Sequence, residues 1–302
     1  MHFILMIFGI FVGLMSSNWL VVIFSMEWSM FCLIFLVANY SYLNLSSCVI
    51  KYFFTQSIGS VLLFASGLLV SYNMEFGSVF NWGAIMGFGL KLGVFPFHFW
   101  VIPVNSVMPY FPLSLINSPL KILPLALLQS LYLTSSEEMF LILLVVLAAG
   151  SLGAGAMLGQ GCISMRAMLG ASSITHSGWL LLAILCWDTF KYLAAYSVSL
   201  ILLILALLNK SSFPTWICLY ALSGLPPFSV FLGKLYVIQG AIACQLPYYI
   251  LIIALTSSVF SLLFYLKFTF QLYMLSANYN DHLFFFIMFF GLNSMSVFFS
   301  LF

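Results

Sequence analysis

The stretch FNWGAIMGFGLKLGVFPFHFWVIP, residues 80–103, decides the fold. Its 24 residues carry one formal charge, Lys91. As a helix it is long enough to cross a bilayer, which takes about 20 apolar residues. Pro96 stands inside it and has no N–H to give to the carbonyl of Leu92, so a helix drawn through the segment breaks there. A carbonyl freed at membrane depth is tolerated where water, polar side chains or neighbouring helices satisfy it. The segment therefore reads as a broken transmembrane helix with a lysine beside its break, or as a plain packing kink.

The rest of the chain has the same character. Of 302 residues, 64% are hydrophobic and 5% charged, with a mean hydropathy of +1.20. Soluble domains carry about 25% charged residues, so a soluble enzyme or binding module is excluded. The chain reads as an all-α polytopic membrane protein without soluble lobes. Residues 1–15 are apolar, with no basic start and no small-residue cleavage site, and are expected to stay as a helix. The six cysteines show no CxxC pairing and fall mostly in apolar stretches, which points to small core residues rather than to zinc, iron–sulfur or disulfide roles.

Polar and Gly/Pro-rich punctuation divides the chain into about eleven spans, roughly 3–16, 19–37, 48–71, 80–103, 113–134, 138–159, 165–186, 190–208, 213–240, 246–268 and 283–301. The charges left over test this division. Lys51, Arg166, Lys210 and Lys267 fall at even-numbered connections, whereas Glu75, Glu137, Glu138 and Asp188 fall at odd-numbered ones. Lys191 and Asp281 run against the trend. Basic residues collect on one side of a membrane, so the N-terminus is expected on the positive side and the C-terminus opposite.

Lys121 and Lys234 share with Lys91 a place in a spanning stretch near a proline. A lysine at mid-membrane costs about 2.5 to 3.5 kcal/mol on insertion scales, so three retained lysines point to use, with snorkelling to an interface as the alternative. Pro226 and Pro227 release the carbonyls of Leu222 and Ser223 in span nine as Pro96 does in span four. The two breaks lie five spans apart. A five-helix unit crosses the membrane an odd number of times, so its second copy enters inverted, as in the repeats of ion-translocating folds. One antiporter-like transmembrane domain over 1–302 would then hold a first repeat of about 1–134, a second of about 138–270 and a C-terminal helix of about 283–301. The second helix of each unit carries an ionisable group, Glu27 or His176.

KLGVFPFHFWVIPV at 91–104, KYFFTQ at 51–56, SSITHSGW at 172–179 and GLPPFSVFLGKL at 224–235 occur together and in order. In this the chain resembles the antiporter-like subunit 2 family of NADH dehydrogenase in mitochondrial respiratory complex I. The eleven-span count is similar to the shortened animal form of that subunit. The resemblance implies that Glu27 matches the family's glutamate, Lys91 its partner lysine on the first broken helix, Lys121 the central lysine and Lys234 the lysine after the second break. The chain departs from the family at Ser118 and Pro119 ahead of Lys121, and at Gly233 before Lys234.

Low-dielectric surroundings disfavour a charged ammonium and a nearby carboxylate favours it, so a carboxylate moving toward or away from Lys91 switches its protonation. The resemblance then implies a proton relay from Lys91 to Lys121 and on to Lys234. His176 bridges the gap in one reading and is a satisfied packing histidine in the other. His98 is expected to be a structural hydrogen-bonding group at the break. Lys51 is expected as a snorkelling anchor or a phospholipid headgroup contact, Glu137 and Glu138 as a solvated helix start. The abundant aromatics are expected to fill lipid-facing surfaces.

No cofactor or metal is expected on this chain; NADH, flavin, iron–sulfur clusters and ubiquinone belong by the resemblance to other subunits. The partners implied are other membrane-arm subunits, including neighbouring antiporter-like ones, and inner-membrane phospholipids such as cardiolipin, with no nucleic acid. The location implied is the mitochondrial inner membrane, multi-pass, N-terminus on the matrix side and C-terminus on the intermembrane-space side. A stand-alone cation/proton antiporter and a non-pumping structural subunit are the alternatives.

Overall fold

The computed structural model describes residues 1–40, 45–72, 77–134, 138–209, 212–226 and 228–275. Among them every regular element is helical. Glu75, Glu137, Lys210, Pro227, Asp281 and the expected span 283–301 lie outside the described residues.

The chain divides into two compact units, Met1–Ser151 and Leu152–Phe302. The first holds α1 (His2–Met15), α2 (Trp19–Ala38), α3 (Leu45–Tyr72), α4 (Gly77–Leu92), a 3-10 turn (Phe97–Trp100), α5 (Val101–Val107), α6 (Tyr110–Asn117), α7 (Pro119–Thr134) and the start of α8 (Glu138–Gly161). The second holds the end of α8, α9 (Met165–Leu185), α10 (Thr189–Leu208), α11 (Ser212–Ser223), α12 (Ser229–Ala243) and α13 (Tyr248–Leu275).

Eight described segments are long and apolar enough to cross a membrane: 19–38, 45–68, 82–107, 110–134, 138–161, 165–185, 189–208 and 248–273. The expected spans 3–16 and 213–240 fall on shorter helices, α1 in the first case and α11 with α12 in the second. These helices are apolar on all sides because lipid gives no reward for a polar face, and small residues let them pack. At the contact of α3 with α4, a Cβ on Gly59 would lie 3.2 Å from the Gly87 carbonyl oxygen. In the second unit α9 is the central helix, buried throughout Met168–Leu185 and packed by α10, α12 and α13.

Most serine and threonine hydroxyls within the helices are satisfied locally, Thr189 and Ser229 being exceptions. On α9, Ser172, Ser173, Thr175 and Ser177 each donate to the carbonyl three residues back, at 2.7 to 2.9 Å. Lys191, which runs against the charge trend, pairs with Asp188 at 3.2 Å at the start of α10. Five of the six cysteines are buried as expected of core residues, but Cys244, just past the end of α12, is exposed.

The helix breaks start at glycine, ahead of the prolines. α4 stops because Gly93 adopts φ +67°, and the N–H groups of Gly93 and Val94 turn back to the carbonyls of Leu90 (3.3 Å) and Gly89 (3.0 Å). That double closure is a Schellman cap, which needs a left-handed residue. α11 stops at a left-handed glycine too, Gly224, φ +81°, whose N–H returns to the Ala221 carbonyl at 3.3 Å. A third break divides the fifth span, where Ser118 leaves helical geometry (φ −124°, ψ −78°) ahead of Pro119, the first residue of α7. A residue before proline is pushed out of the helical region, so the signal was present in the sequence.

Candidate functional site

In the first unit, Glu27 of α2 and Lys91 of α4 meet as an ion pair, Oε1 to Nζ 3.3 Å. Lys91 is only 8% exposed. It sits in the last turn of its half-helix, where the backbone dipole favours a cation. Gly59 on α3 leaves room for the lysine stem, since a Cβ there would lie 3.2 Å from Lys91 Cγ.

Side chains take up the carbonyls at this break. Trp100 Nε1 donates to the Leu90 carbonyl at 3.1 Å, and Gln56 Nε2 to that of Lys91 at 3.4 Å. His98 is buried in the 3-10 turn and stacks on Phe99 (4.6 Å between ring centroids) and Phe95 (5.7 Å).

Lys121 is buried in the first turn of α7, just past the third break, and its N–H donates to Ser118 at 3.1 Å. α7 packs against α4, so Lys91 and Lys121 stand on touching helices. Ahead of that break, the buried side chains of Asn105 on α5 and Asn117 at the end of α6 are joined by an Nδ2 to Oδ1 hydrogen bond of 3.5 Å.

In the second unit, Lys234 of α12 reaches back to the second break and its Nζ donates to the Ser223 carbonyl at 2.9 Å. Ser223 ends α11, so this lysine takes up a carbonyl that the sequence shows as released by Pro227. Lys234 is buried, with Nζ 5.6 Å from the centroid of the Trp179 ring.

His176, on α9, is 2% exposed. Its Nδ1 lies 2.8 Å from Tyr192 Oη and its Nε2 3.4 Å from Tyr265 Oη, with the Tyr196 ring 4.4 Å away. Tyr192 also stacks on Trp179 at 6.3 Å, which links the surroundings of His176 to those of Lys234. These tyrosines overturn the expectation that the aromatics fill lipid-facing surfaces: Tyr192, Tyr196 and Tyr265 are all at most 1% exposed. The signal available in the sequence was a phenol in mid-span, whose O–H needs a partner when buried. The expectation holds for Phe8, Phe24, Phe54 and Phe270, which stand more than half exposed, but Phe88, Phe140 and Phe264 are buried as well.

The arrangement thus brings Glu27 to Lys91, the helix of Lys91 to that of Lys121, and His176 to Lys234 through two aromatic rings. Glu27, Lys91, His176 and Lys234 are acids or bases with hydrogen-bond partners inside apolar helices, and ionisable groups so placed in membrane proteins are commonly kept for ion pathways. Among the described residues, no three His, Cys, Asp or Glu side chains come together in a way that would hold a metal ion.

The family described as NADH:quinone oxidoreductase/Mrp antiporter, TM, matches residues 16–215. NADH-ubiquinone oxidoreductase chain 2 of Albinaria caerulea is 33% identical over 279 residues, which is 92% of this chain and 90% of the relative. The protein of the same name in Anopheles gambiae is 31% identical over 303 residues, covering 92% and 86%. Among solved structures, a chain of respiratory complex I from Thermus thermophilus, with bound aureothin, superposes with a TM-score of 0.75 at 20% identity, over 87% of this chain and 67% of that one. That likeness establishes the fold, and the likeness in sequence establishes the family. The chain belongs to the NADH-ubiquinone oxidoreductase chain 2 family, within the antiporter-like membrane proteins.

Proposed function

We propose that this chain is a membrane-arm subunit of a proton-translocating NADH:ubiquinone oxidoreductase and relays protons through Glu27, Lys91, Lys121, His176 and Lys234. The observation that carries this reading is the ion pair of buried Lys91 with half-buried Glu27, beside a helix break inside a membrane span. A purely structural subunit has little use for it. Breaking a buried pair costs about 3 to 5 kcal/mol, yet replacing both partners by apolar residues is often neutral or stabilising. Support for the enzyme comes from the name of its curated relatives, NADH-ubiquinone oxidoreductase chain 2.

In this mechanism the Glu27 carboxylate holds a proton on Lys91 while the two are paired. When the carboxylate withdraws, Lys91 releases the proton inward to Lys121, and His176 carries it on to Lys234. Each step exchanges a proton between an amine or imidazole and its neighbour, with water bridging where side chains do not touch. Moving a charge against the membrane potential costs about 2.3 kcal/mol per 100 mV, and quinone reduction in neighbouring subunits drives it. NADH, flavin, iron–sulfur clusters and ubiquinone bind on those subunits.

The two halves of the relay lie on two five-helix repeats of inverted topology, about 1–134 and about 138–270, with a C-terminal helix of about 283–301. What supports the repeat is that each unit has a crossing closed by a left-handed glycine, Gly93 in one and Gly224 in the other, with a buried lysine at each break. In this reading the protein lies in the mitochondrial inner membrane, N-terminus on the matrix side and C-terminus on the intermembrane-space side, among other membrane-arm subunits and phospholipids such as cardiolipin.

The test is proton pumping and NADH:quinone turnover by the assembled complex with Lys121→Ala or Lys234→Ala, alongside native gels. Loss of pumping with normal assembly is expected for each. Full pumping in both variants refutes the relay.

A further inference from the structure

We propose that Cys186 and Cys244 are a redox-sensitive pair, joined into a disulfide by a small-molecule disulfide from the aqueous face, which ties the end of α9 to the end of α12. The bridge holds the helix of His176 against the helix of Lys234, so this control of pumping rests on the reading of those two residues as relay groups.

The two thiols are far apart in sequence, and the packing of α12 on α9 brings them together. Each is the residue that closes its helix, Cys186 after Leu185 and Cys244 after Ala243. Gly240, one turn before Cys244, lets the two ends approach: a Cβ there would lie 2.6 Å from Cys186 Cβ and 3.4 Å from its Sγ. Cys244 Sγ in turn donates to the carbonyl of Leu185, the residue before Cys186, at 3.6 Å. Each sulfur thus lies against the end of the other's helix.

A second observation, independent of the sulfurs, falls at the same two places. Among the described residues, Trp187 (φ +67°) and Gln245 (φ +53°) are the two non-glycine residues in left-handed backbone, and each directly follows one of the cysteines. Both helices close in Schellman caps. The N–H groups of Trp187 and Asp188 return to the carbonyls of Ile184 and Ala183, and those of Gln245 and Leu246 to Ile242 and Ala241. The left-handed position suits glycine, and a side chain there is strained. Such strain persists where the surroundings over-determine it, and it gathers at switch regions. The two caps hold their cysteines in place, side by side.

The thiols differ in reactivity. Cys244 is exposed, whereas Cys186 is buried, and burial pushes its thiol up to about 12. Cys244 Sγ therefore attacks first, bonding to one sulfur of the oxidant and releasing the other half as a thiol. Cys186 Sγ then attacks Cys244 Sγ in the mixed disulfide, and the second half leaves as a thiol. Each cysteine proton departs with a released thiol. Two cysteine thiols are oxidised and one small disulfide is reduced, with no further co-reactant. The scarcity of Cys186 thiolate makes the second attack the slower one.

The experiment treats the assembled complex in proteoliposomes with oxidised glutathione, alkylates the remaining thiols and identifies the peptides by mass spectrometry, with proton pumping per electron read on the same sample. The expected result is a reductant-sensitive link between the Cys186 and Cys244 peptides, with pumping lost in proportion to the linked fraction and regained on reduction. Cys244→Ser and Cys186→Ala are expected to pump normally and to keep pumping in the oxidant. Cys186→Ala should accumulate a stable glutathione adduct on Cys244, which confirms the order of attack. Absence of the link in the unsubstituted complex, a measurement that needs no variant to assemble, overturns the pair. So does glutathione found on Cys186 with Cys244 still a thiol. A complete link with unchanged pumping overturns the control of the relay. Normal pumping by unoxidised Lys234→Ala and His176→Phe complexes, in which the link still forms, overturns the relay reading instead.

Discussion

Removing both members of the Glu27–Lys91 pair is expected to harm assembly less than removing either one, while leaving proton pumping abolished. At 3.3 Å, opposite unit charges attract by about 5 kcal/mol at an effective dielectric near 20. The Glu27 side chain is 20% exposed, which screens part of this and brings the expected coupling to about 2 to 3 kcal/mol. Glu27→Gln or Lys91→Met alone leaves one buried ionisable group without its partner. Losses of about 1 to 2 kcal/mol already change the abundance of a protein several-fold, so each single variant should accumulate less assembled complex. Glu27→Gln with Lys91→Met presents an amide to a thioether, and its assembly should return toward that of the unsubstituted complex. The assay is a double-mutant cycle, with native-gel abundance and thermal midpoint of the complex read beside proton pumping. A double variant that assembles worse than either single refutes the ion-pair reasoning, and one that pumps refutes the role of the pair.

Gly224→Ala forces a side chain into left-handed backbone, at about 1 to 2 kcal/mol, and its methyl would sit 2.9 Å from Lys234 Nζ. A lower thermal midpoint with impaired pumping is expected, set against Gly153→Ala, whose methyl meets nothing within 4 Å and should be silent in both assays. Gln56→Leu leaves the Lys91 carbonyl without its 3.4 Å donor at the first break and should cost about 1 to 3 kcal/mol of stability, read as a lower thermal midpoint of the complex. Burial pushes the Cys186 thiol up to about 12, with Cys244 and Asp188 adding to the shift, so almost no thiolate forms at neutral or mildly alkaline pH. A maleimide should modify exposed Cys244 and spare Cys186 in the folded chain, and mass spectrometry showing Cys186 labelled first would contradict this.

The sequence was most legible where one physical constraint acted alone. Bilayer thickness set the lengths of the spans, and their helical form followed because a lipid-exposed backbone must satisfy itself. The pairing of Glu27 with Lys91 came from the family resemblance, and the structure brings the two side chains together at 3.3 Å. The breaks were read from proline, since the missing N–H is visible in sequence. The residues that stop the half-helices are Gly93 and Gly224, whose left-handed geometry only the backbone shows. The break at Ser118 went unread although Pro119 announced it, because the preceding residue's restriction is a weaker sign than a lost hydrogen bond. The cage of Tyr192, Tyr196 and Tyr265 around His176 was invisible for another reason: its members come from two helices other than the histidine's own, up to 89 residues from the histidine, and only packing brings them together.

The central claim, that protons move through buried groups of this chain, is tested most directly by Lys91→Ala in the assembled complex, with proton pumping and NADH:quinone turnover measured on the same preparation and assembly followed by native gel. The relay predicts that coupled pumping is lost while assembled complex persists. Unchanged pumping in a fully assembled Lys91→Ala complex contradicts it and leaves a structural subunit in its place.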